Sequence, residues 1–214
     1  MLLTVAGLAA AATNAVVVED WSKVAVGTRG VPPGWQKQSW GSPKYDFTVL
    51  SESPGRVLHL RSEDDSSTIS KELTVDVKQW PILQWRWKVV ALPKGGDARR
   101  KETDDEAAQI YVTFPRFPSA VRSRIIGYIW DSTAPAGAIF ASQKVATVTF
   151  VVVRSGEADL GRWLTETRNV YDDYKRIYAG EPGEAVGAVA ISINSQNTRS
   201  RAESSVGEIL FRKP

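Results

Sequence analysis

The chain has 214 residues, 43% of them hydrophobic and 24% charged, which is ordinary globular usage and excludes general disorder. A net charge of +3, from 27 basic and 24 acidic residues, is too small and too scattered to mark a nucleic-acid partner. No Cys and a single His exclude thiol catalysis, Fe–S clusters, Cys-based zinc sites and multi-His metal sites.

The first segment, Leu2–Ala12, is apolar and uncharged. It is too short to span a bilayer as a helix, which takes about 20 residues. Its length suits the core of an export signal, with Ala12 or Ala15 preceding the cleavage point. The basic residues that usually open such a signal are missing, since Leu2 follows Met1 directly. A buried first strand is the competing reading. The division expected is a signal peptide over 1–15 and a single β-sandwich domain over 16–214, in a periplasmic or secreted protein. No other stretch reaches transmembrane length.

Beyond it, short runs rich in Val, Ile, Thr and aromatics recur between Gly, Pro, Ser and Asp clusters. Such runs read as strands. They cover Trp35–Trp40, Tyr45–Leu50, Arg56–Arg61, Thr68–Leu73, Ile82–Val90, Gln109–Phe114, Ile125–Trp130, Ala146–Arg154, Leu164–Val170, Val186–Asn194 and Val206–Phe211. One stretch, Tyr171–Tyr178, reads as a helix. Asn169 caps it, Asp172 and Asp173 suit its positive end, and Gly180 ends it. Many strands with one short helix predict an all-β, two-sheet antiparallel sandwich of jelly-roll type. The polar segment Leu92–Ala107 is too long for a hairpin turn and reads as a functional or mobile loop.

Side chains alternate across a strand, so sequence parity assigns faces. In Ile82–Val90, Leu83, Trp85, Trp87 and Val89 form an apolar face opposite Gln84, Arg86 and Lys88. Both Trp residues read as core. The same split puts Gln109, Tyr111 and Thr113 opposite Ile110, Val112 and Phe114, and Ser192 and Asn194 opposite Ile191 and Ile193. If the polar faces share one sheet, they bring together Arg86, Lys88, Tyr111, Arg154, Glu166, Arg168, Ser192 and Asn194. Buried charge needs partners, and Glu166, Asp104 and Asp105 are the natural acids for these cations. The competing view is that each cation is solvated on its own.

The segments WRWKV (Trp85–Val89), LPKGGDARRKETDDEAAQIYVTF (Leu92–Phe114), IGYIW (Ile126–Trp130), VVVRSG (Val151–Gly156), WLTETRNVYDDY (Trp163–Tyr174) and SINSQNT (Ser192–Thr198) form an ordered motif series. With PPGW (Pro32–Trp35), they resemble a bacterial secreted family known only as domain of unknown function 3047. The resemblance runs from about Trp21 to Phe211. It implies kinship with galactose-binding-like jelly rolls, many of which are carbohydrate-binding modules, and supplies no catalytic residues. The family's D-S-D-N-T pattern reads Asn194-Ser195-Gln196-Asn197-Thr198 here. Two acids have become amides, which puts a metal role for that loop in doubt.

The leading expectation is non-catalytic binding of a glycan or other polar envelope ligand. Arg86, Lys88 and Arg154 would supply cation contacts, and Trp130 and Tyr111 stacking. Glu166, Asn169 and Asn194 would supply hydrogen bonds, with Asp105 and Arg168 completing the set. Of eight Trp residues, Trp130 and Trp40 sit at strand ends, where loops build binding sites; Trp130 is preferred. The rival is a lyase or hydrolase on acidic polysaccharide. A lyase would use the cations against the uronate and Tyr111 or His59 as base. A hydrolase would pair Asp105 with Glu166, or with Asp172 as substitute. The third reading is a structural envelope protein. No G-x-S-x-G or phosphate-loop fingerprint occurs. No cofactor is expected. Two acidic sets could offer oxygen ligands, the clustered Asp104, Asp105 and Glu106 and, if the termini pair, Glu19, Asp20 and Glu208; neither has EF-hand spacing, and a structural Ca²⁺ near the termini, weighed by analogy with jelly-roll modules, is set below solvated charge.

Overall fold

The computed structural model describes residues 14–214. The expected export signal lies, over residues 1–13, outside the described residues. The strands are β1 (Ala15–Glu19), β2 (Gln36–Lys37), β3 (Asp46–Glu52), β4 (Gly55–Glu63), β5 (Ser66–Val75), β6 (Ile82–Ala91), β7 (Ala108–Phe114), β8 (Arg124–Asp131), β9 (Ile139–Ala141), β10 (Val148–Ser155), β11 (Leu164–Asn169), β12 (Val186–Asn194) and β13 (Arg201–Arg212). Helix α1 is one turn at Ser119–Arg122, and α2 covers Val170–Tyr178.

They form two stacked sheets. The first runs β11-β6-β13-β4-β3, with β1 also pairing β13. The twelve residues of β13 make this possible: Arg201–Val206 pair with β4, and Ile209–Arg212 pair with β1. The second runs β2-β5-β12-β7-β8-β10-β9. From β4 through β7 the chain crosses between sheets at every step, and it crosses again from β12 to β13. This is the alternation of a jelly-roll sandwich.

Two details depart from the expected all-antiparallel sandwich with one helix. Strand β10 runs parallel to β8. A parallel neighbour needs a crossover of a dozen or more residues. Residues 132–147 provide it, and within them β9 turns back antiparallel against β10. Helix α2 has the expected cap, with Asn169 Oδ1 accepting from the Asp172 amide at 3.1 Å. It ends at Tyr178, as expected, but Ala179 rather than Gly180 takes the left-handed conformation, at φ 52°.

The core is an aromatic seam between β6 and β8. Trp87 meets Trp130 with ring centroids 5.9 Å apart, and Trp85 meets Tyr128 at 5.4 Å. All four are buried. A Trp burying ~200 Å² removes about 5 kcal/mol worth of apolar surface from water, before the entropy of ordering it. The opposite face of the second sheet carries a smaller apolar cluster, Ile129, Val148, Phe150 and Val152, under Ala98 and Ala134. The loops over it wall off one side of that sheet's outer surface.

Candidate cleft on the outer face of the second sheet

Period-two alternation fixes what this face displays. Strand β7 sends Ile110, Val112 and Phe114 into the core and leaves Gln109, Tyr111 and Thr113 outside. In register beside them, β12 presents Ala190 opposite Tyr111 and Ser192 opposite Gln109. Strand β5 adds Thr68 and Ser70. Between these side chains lies a cleft of about 430 Å³, lined also by Gln38, Trp40, Ile125, Val145 and Val148. A recess of about 160 Å³ adjoins it, lined by Asp104, Glu106, Gln109, Ser142, Lys144, Ser192 and Asn194. Trp40, Thr68, Tyr111, Val145 and Val148 border both.

The walls are braced. Gln38 Nε2 donates to the Trp40 carbonyl at 2.9 Å, and its Oε1 accepts from the Thr68 amide at 2.6 Å. This fixes the segment carrying Trp40, whose side chain stands 61% exposed. Tyr111 donates to Gln109 Oε1. Gln109 Nε2 in turn donates to Asn194 Oδ1 at 2.7 Å. Asn194 also accepts from the Glu106 amide at 2.7 Å and donates to the Asp104 carbonyl at 3.0 Å. The Tyr111 ring lies against Gly127, its cross-strand neighbour. A Cβ at Gly127 would come within 2.8 Å of that ring and 2.9 Å of Phe150. Only glycine leaves the phenol room to lie flat.

The recess concentrates acid. Glu106 is 1% exposed and Asp104 4%. Burial raises the Glu106 pKa well above the usual carboxylate range, and the adjacent Asp104 charge raises it further. Burial also raises Asp104, partly opposed by its hydrogen bond from Glu106 and by Lys144. Glu106 Oε1 has no hydrogen-bond partner in the protein. The Lys144 ammonium lies 3.4 Å from Asp104 Oδ2 and donates to Asn197 Oδ1 at 2.7 Å. Burial, then the Glu106 and Asp104 charges, hold the Tyr111 phenol well above its usual pKa.

The expected single cationic surface does not form; its members fall in three places. Arg86 and Lys88 lie on the outer face of the first sheet, over the Trp163 ring at 4.9 and 5.1 Å. Lys88 Nζ bonds Glu52 there at 2.6 Å. His59 lies on the same sheet, paired with Glu203 at 2.9 Å and away from the cleft. Glu166 pairs in register with Trp85, so it faces the core side of β11. There it accepts from Trp87 Nε1 at 3.1 Å and Arg154 Nε at 2.7 Å. Arg154 reaches it because β10 bulges between Val152 and Arg154, which turns Arg154 off the face that carries Val148, Phe150 and Val152. Arg168 grips Asp173 on the same inner side, at 2.9 Å from Nε. Asn169 is the cap of α2. Tyr111 and Asn194 alone among the ten candidates line the recess.

Two further candidates occupy structural positions. Trp130 is 1% exposed, with its indole donating to the Gly156 carbonyl at 3.0 Å. It is core, because its parity on β8 matches Tyr128. Asp105 is fully buried and accepts from the Thr198 amide and hydroxyl at 2.6 and 2.8 Å. It therefore latches loop 195–200, while Glu166 is bonded to Trp87 and Arg154, so both carboxylates of the expected hydrolase pair are committed to structural partners. Among the described residues no group of three metal-ligating side chains converges. Glu19 is occupied by Trp21, Trp35 and Lys71 instead.

Sequence reasoning placed Gln109 and Ser192 on polar faces, ranked Trp40 second, and grouped Asp104 with Glu106. It missed Gln38, which follows β2 by one residue inside a run read as a strand, and Lys144, which lies in the connection between β9 and β10.

No curated protein matches this chain in sequence. Several solved structures resemble it weakly, among them the following three. The CBM22-1 xylan-binding domain of Paenibacillus barcinonensis Xyn10C is 12% identical, with 94% of this chain and 97% of that one covered, at a TM-score of 0.43. The family 30 carbohydrate-binding module of cellulosomal cellulase Cel9D-Cel44B of Clostridium thermocellum is 10% identical over 88% and 96%, at 0.44. The xyloglucanase domain of NopAA from Sinorhizobium fredii is 9% identical over 84% and 93%, also at 0.44. Binding modules and an enzyme thus stand at the same distance, so these likenesses decide nothing about chemistry. Residues 33–210 match the family described as "Protein of unknown function (DUF3047)", and the chain belongs to that family.

Proposed function

We propose that this is an exported, single-domain glycan-binding protein whose ligand lies in the cleft beside Trp40. The observation that carries the reading is an indole standing 61% exposed on a braced segment, at the mouth of a cleft shared with Tyr111. Large aromatics are normally buried for their apolar area. One held out over polar groups has the makeup of a sugar platform: an apolar ring face for stacking and hydroxyl and amide partners around it. Gln38, Thr68, Ser192 and Asn194 supply those partners.

Binding without turnover suits this site better than lyase chemistry. The Tyr111 phenol keeps its proton to high pH, whereas a base working near neutrality needs a pKa near the working pH. The test is calorimetric titration with cello-, xylo-, manno- and galacturono-oligosaccharides, with absorbance near 235 nm followed in parallel for unsaturated uronates. The expected result is binding without product, lost in Trp40→Ala while the circular dichroism spectrum stays unchanged. Binding that survives Trp40→Ala, or no binding at all, contradicts the proposal.

A further inference from the structure

Apolar side chains exposed one by one are ordinary on a protein surface. The connection between β7 and β8 departs from that. Phe114 pairs with Arg124 at its base, and between them the chain runs Pro115-Arg116-Phe117-Pro118-Ser119-Ala120-Val121-Arg122-Ser123. Phe117 is 90% exposed and Val121 72%, the two most exposed large hydrophobic side chains among the described residues. The turn that carries them is braced. Arg122 donates to the Phe117 carbonyl at 3.2 Å. The Pro118 carbonyl accepts from the Val121 and Arg122 amides at 3.2 and 3.0 Å, and Ser123 Oγ accepts from the Arg116 amide at 3.4 Å. An apolar tip held out in water by a folded turn is unfavourable until something covers it.

Charge says what covers it. No acidic residue occurs from Gln109 to Trp130, while Arg116, Arg122 and Arg124 surround the tip. Arg116 is shared with Glu184 at 3.3 Å. Arg124 lies on the Tyr174 and Tyr178 rings. Arg122 is exposed, and among the described residues its guanidinium bonds only the Phe117 carbonyl. We propose that this tip docks on a lipid surface bearing anionic headgroups, with Phe117 and Val121 entering the interface and Arg122 meeting phosphate. Two side chains on one turn offer far less than the ~800 Å² that a stable protein interface takes from each partner. A bilayer accepts a small apolar insert anywhere on its surface and adds a diffuse negative charge for the cations. Thr113 and Ile125, paired beside the base of the connection, line the cleft. Docking therefore holds one end of the cleft at the lipid surface. The inference stands whether or not the cleft binds a glycan.

The test is sedimentation of the full chain with vesicles of phosphatidylcholine alone and with roughly one-third phosphatidylglycerol. The anionic vesicles should bind the chain more tightly. Phe117→Ser should weaken that binding about tenfold or more. Arg122→Ala should weaken it about fivefold. Raising salt from ~0.1 to ~1 M, which shortens the Debye length from about 10 to 3 Å, should weaken it as well. The chain has no Cys, so an environment-sensitive dye on Ser119→Cys reports from the tip alone, and its emission should shift to the blue on the anionic vesicles. Absence of vesicle binding overturns the inference, as does equal binding to both vesicle types. So does binding that Phe117→Ser leaves intact, or binding without a dye shift. Self-association without lipid that Phe117→Ser dissolves assigns the tip to a second copy and also overturns it. Oligosaccharide titration of Phe117→Ser should match wild type, so failure here and failure of the glycan reading are read separately.

Discussion

The outer faces of the two sheets are built from similar residues and end in opposite conditions. On the first sheet, Lys88 bonds Glu52, His59 bonds Glu203, and Arg86 lies on Trp163. Its charges satisfy one another. On the second sheet, Trp40 stands exposed, Glu106 Oε1 lacks a partner, and a cleft separates them. The first face pairs its charges with one another, although Ser205 Oγ beside Lys88 also lacks a partner, whereas the second face adds an exposed indole and an open cleft. Density of charge along a sequence finds the former kind of surface more easily than the latter.

The sharpest way to break this contrast is to disturb the inner rim, which belongs to neither face. Glu166→Ala strips the partner from Arg154 and from the buried Trp87 indole. Urea unfolding should show a loss of about 3 kcal/mol, as for other broken buried pairs. A loss within experimental error would mean that the pair is not structural. Gly127→Ala comes next. It drives a methyl into the Tyr111 ring, at a cost of ~1–3 kcal/mol for overpacking, and should also weaken sugar binding by displacing the phenol. Intact binding in that variant would remove Tyr111 from the site.

The acid pair gives a pH signature with a definite sign. Glu106 has a folded pKa above its ordinary value of 4.5. The unfolded chain therefore gives up that proton first, and stability is lost as pH rises above the unfolded value until the folded group ionises. Melting temperatures of wild type and Glu106→Gln should diverge in favour of the variant between pH 4 and 9. A gap that stays constant with pH would contradict the raised pKa of Glu106. The smallest effect belongs to the first sheet. Arg86→Ala should cost at most ~1 kcal/mol, as for partly exposed cations, and should leave binding untouched.

Much of this was legible in the sequence. Alternation in Ile82–Val90 and Gln109–Phe114 gives the faces of β6 and β7 correctly, including Trp85 and Trp87 as core. It does not say which sheet a strand joins. Arg86 and Tyr111 both face outward, yet on opposite sides of the sandwich. The bulge before Arg154 adds one residue and reverses its face, and no composition signal marks it. Glu166 faces inward because β11 is an edge strand, where a charge can find partners at the rim. Trp130 follows the parity of Tyr128, and that parity outweighs its place at a strand end. The cleft itself depends on Gln38 and Lys144, brought in by irregular segments whose path only tertiary contacts define.

The central claim is that the second sheet binds and the first does not. One titration compares them directly: the same neutral oligosaccharides against wild type, Trp40→Ala and the double variant Arg86→Ala/Lys88→Ala. Removing a stacking Trp at the centre of a site should cost about 2 kcal/mol, or roughly 30-fold in affinity, while the double variant matches wild type. Equal binding by wild type and Trp40→Ala, with loss in the double variant, would place the ligand on the opposite face and contradict the account.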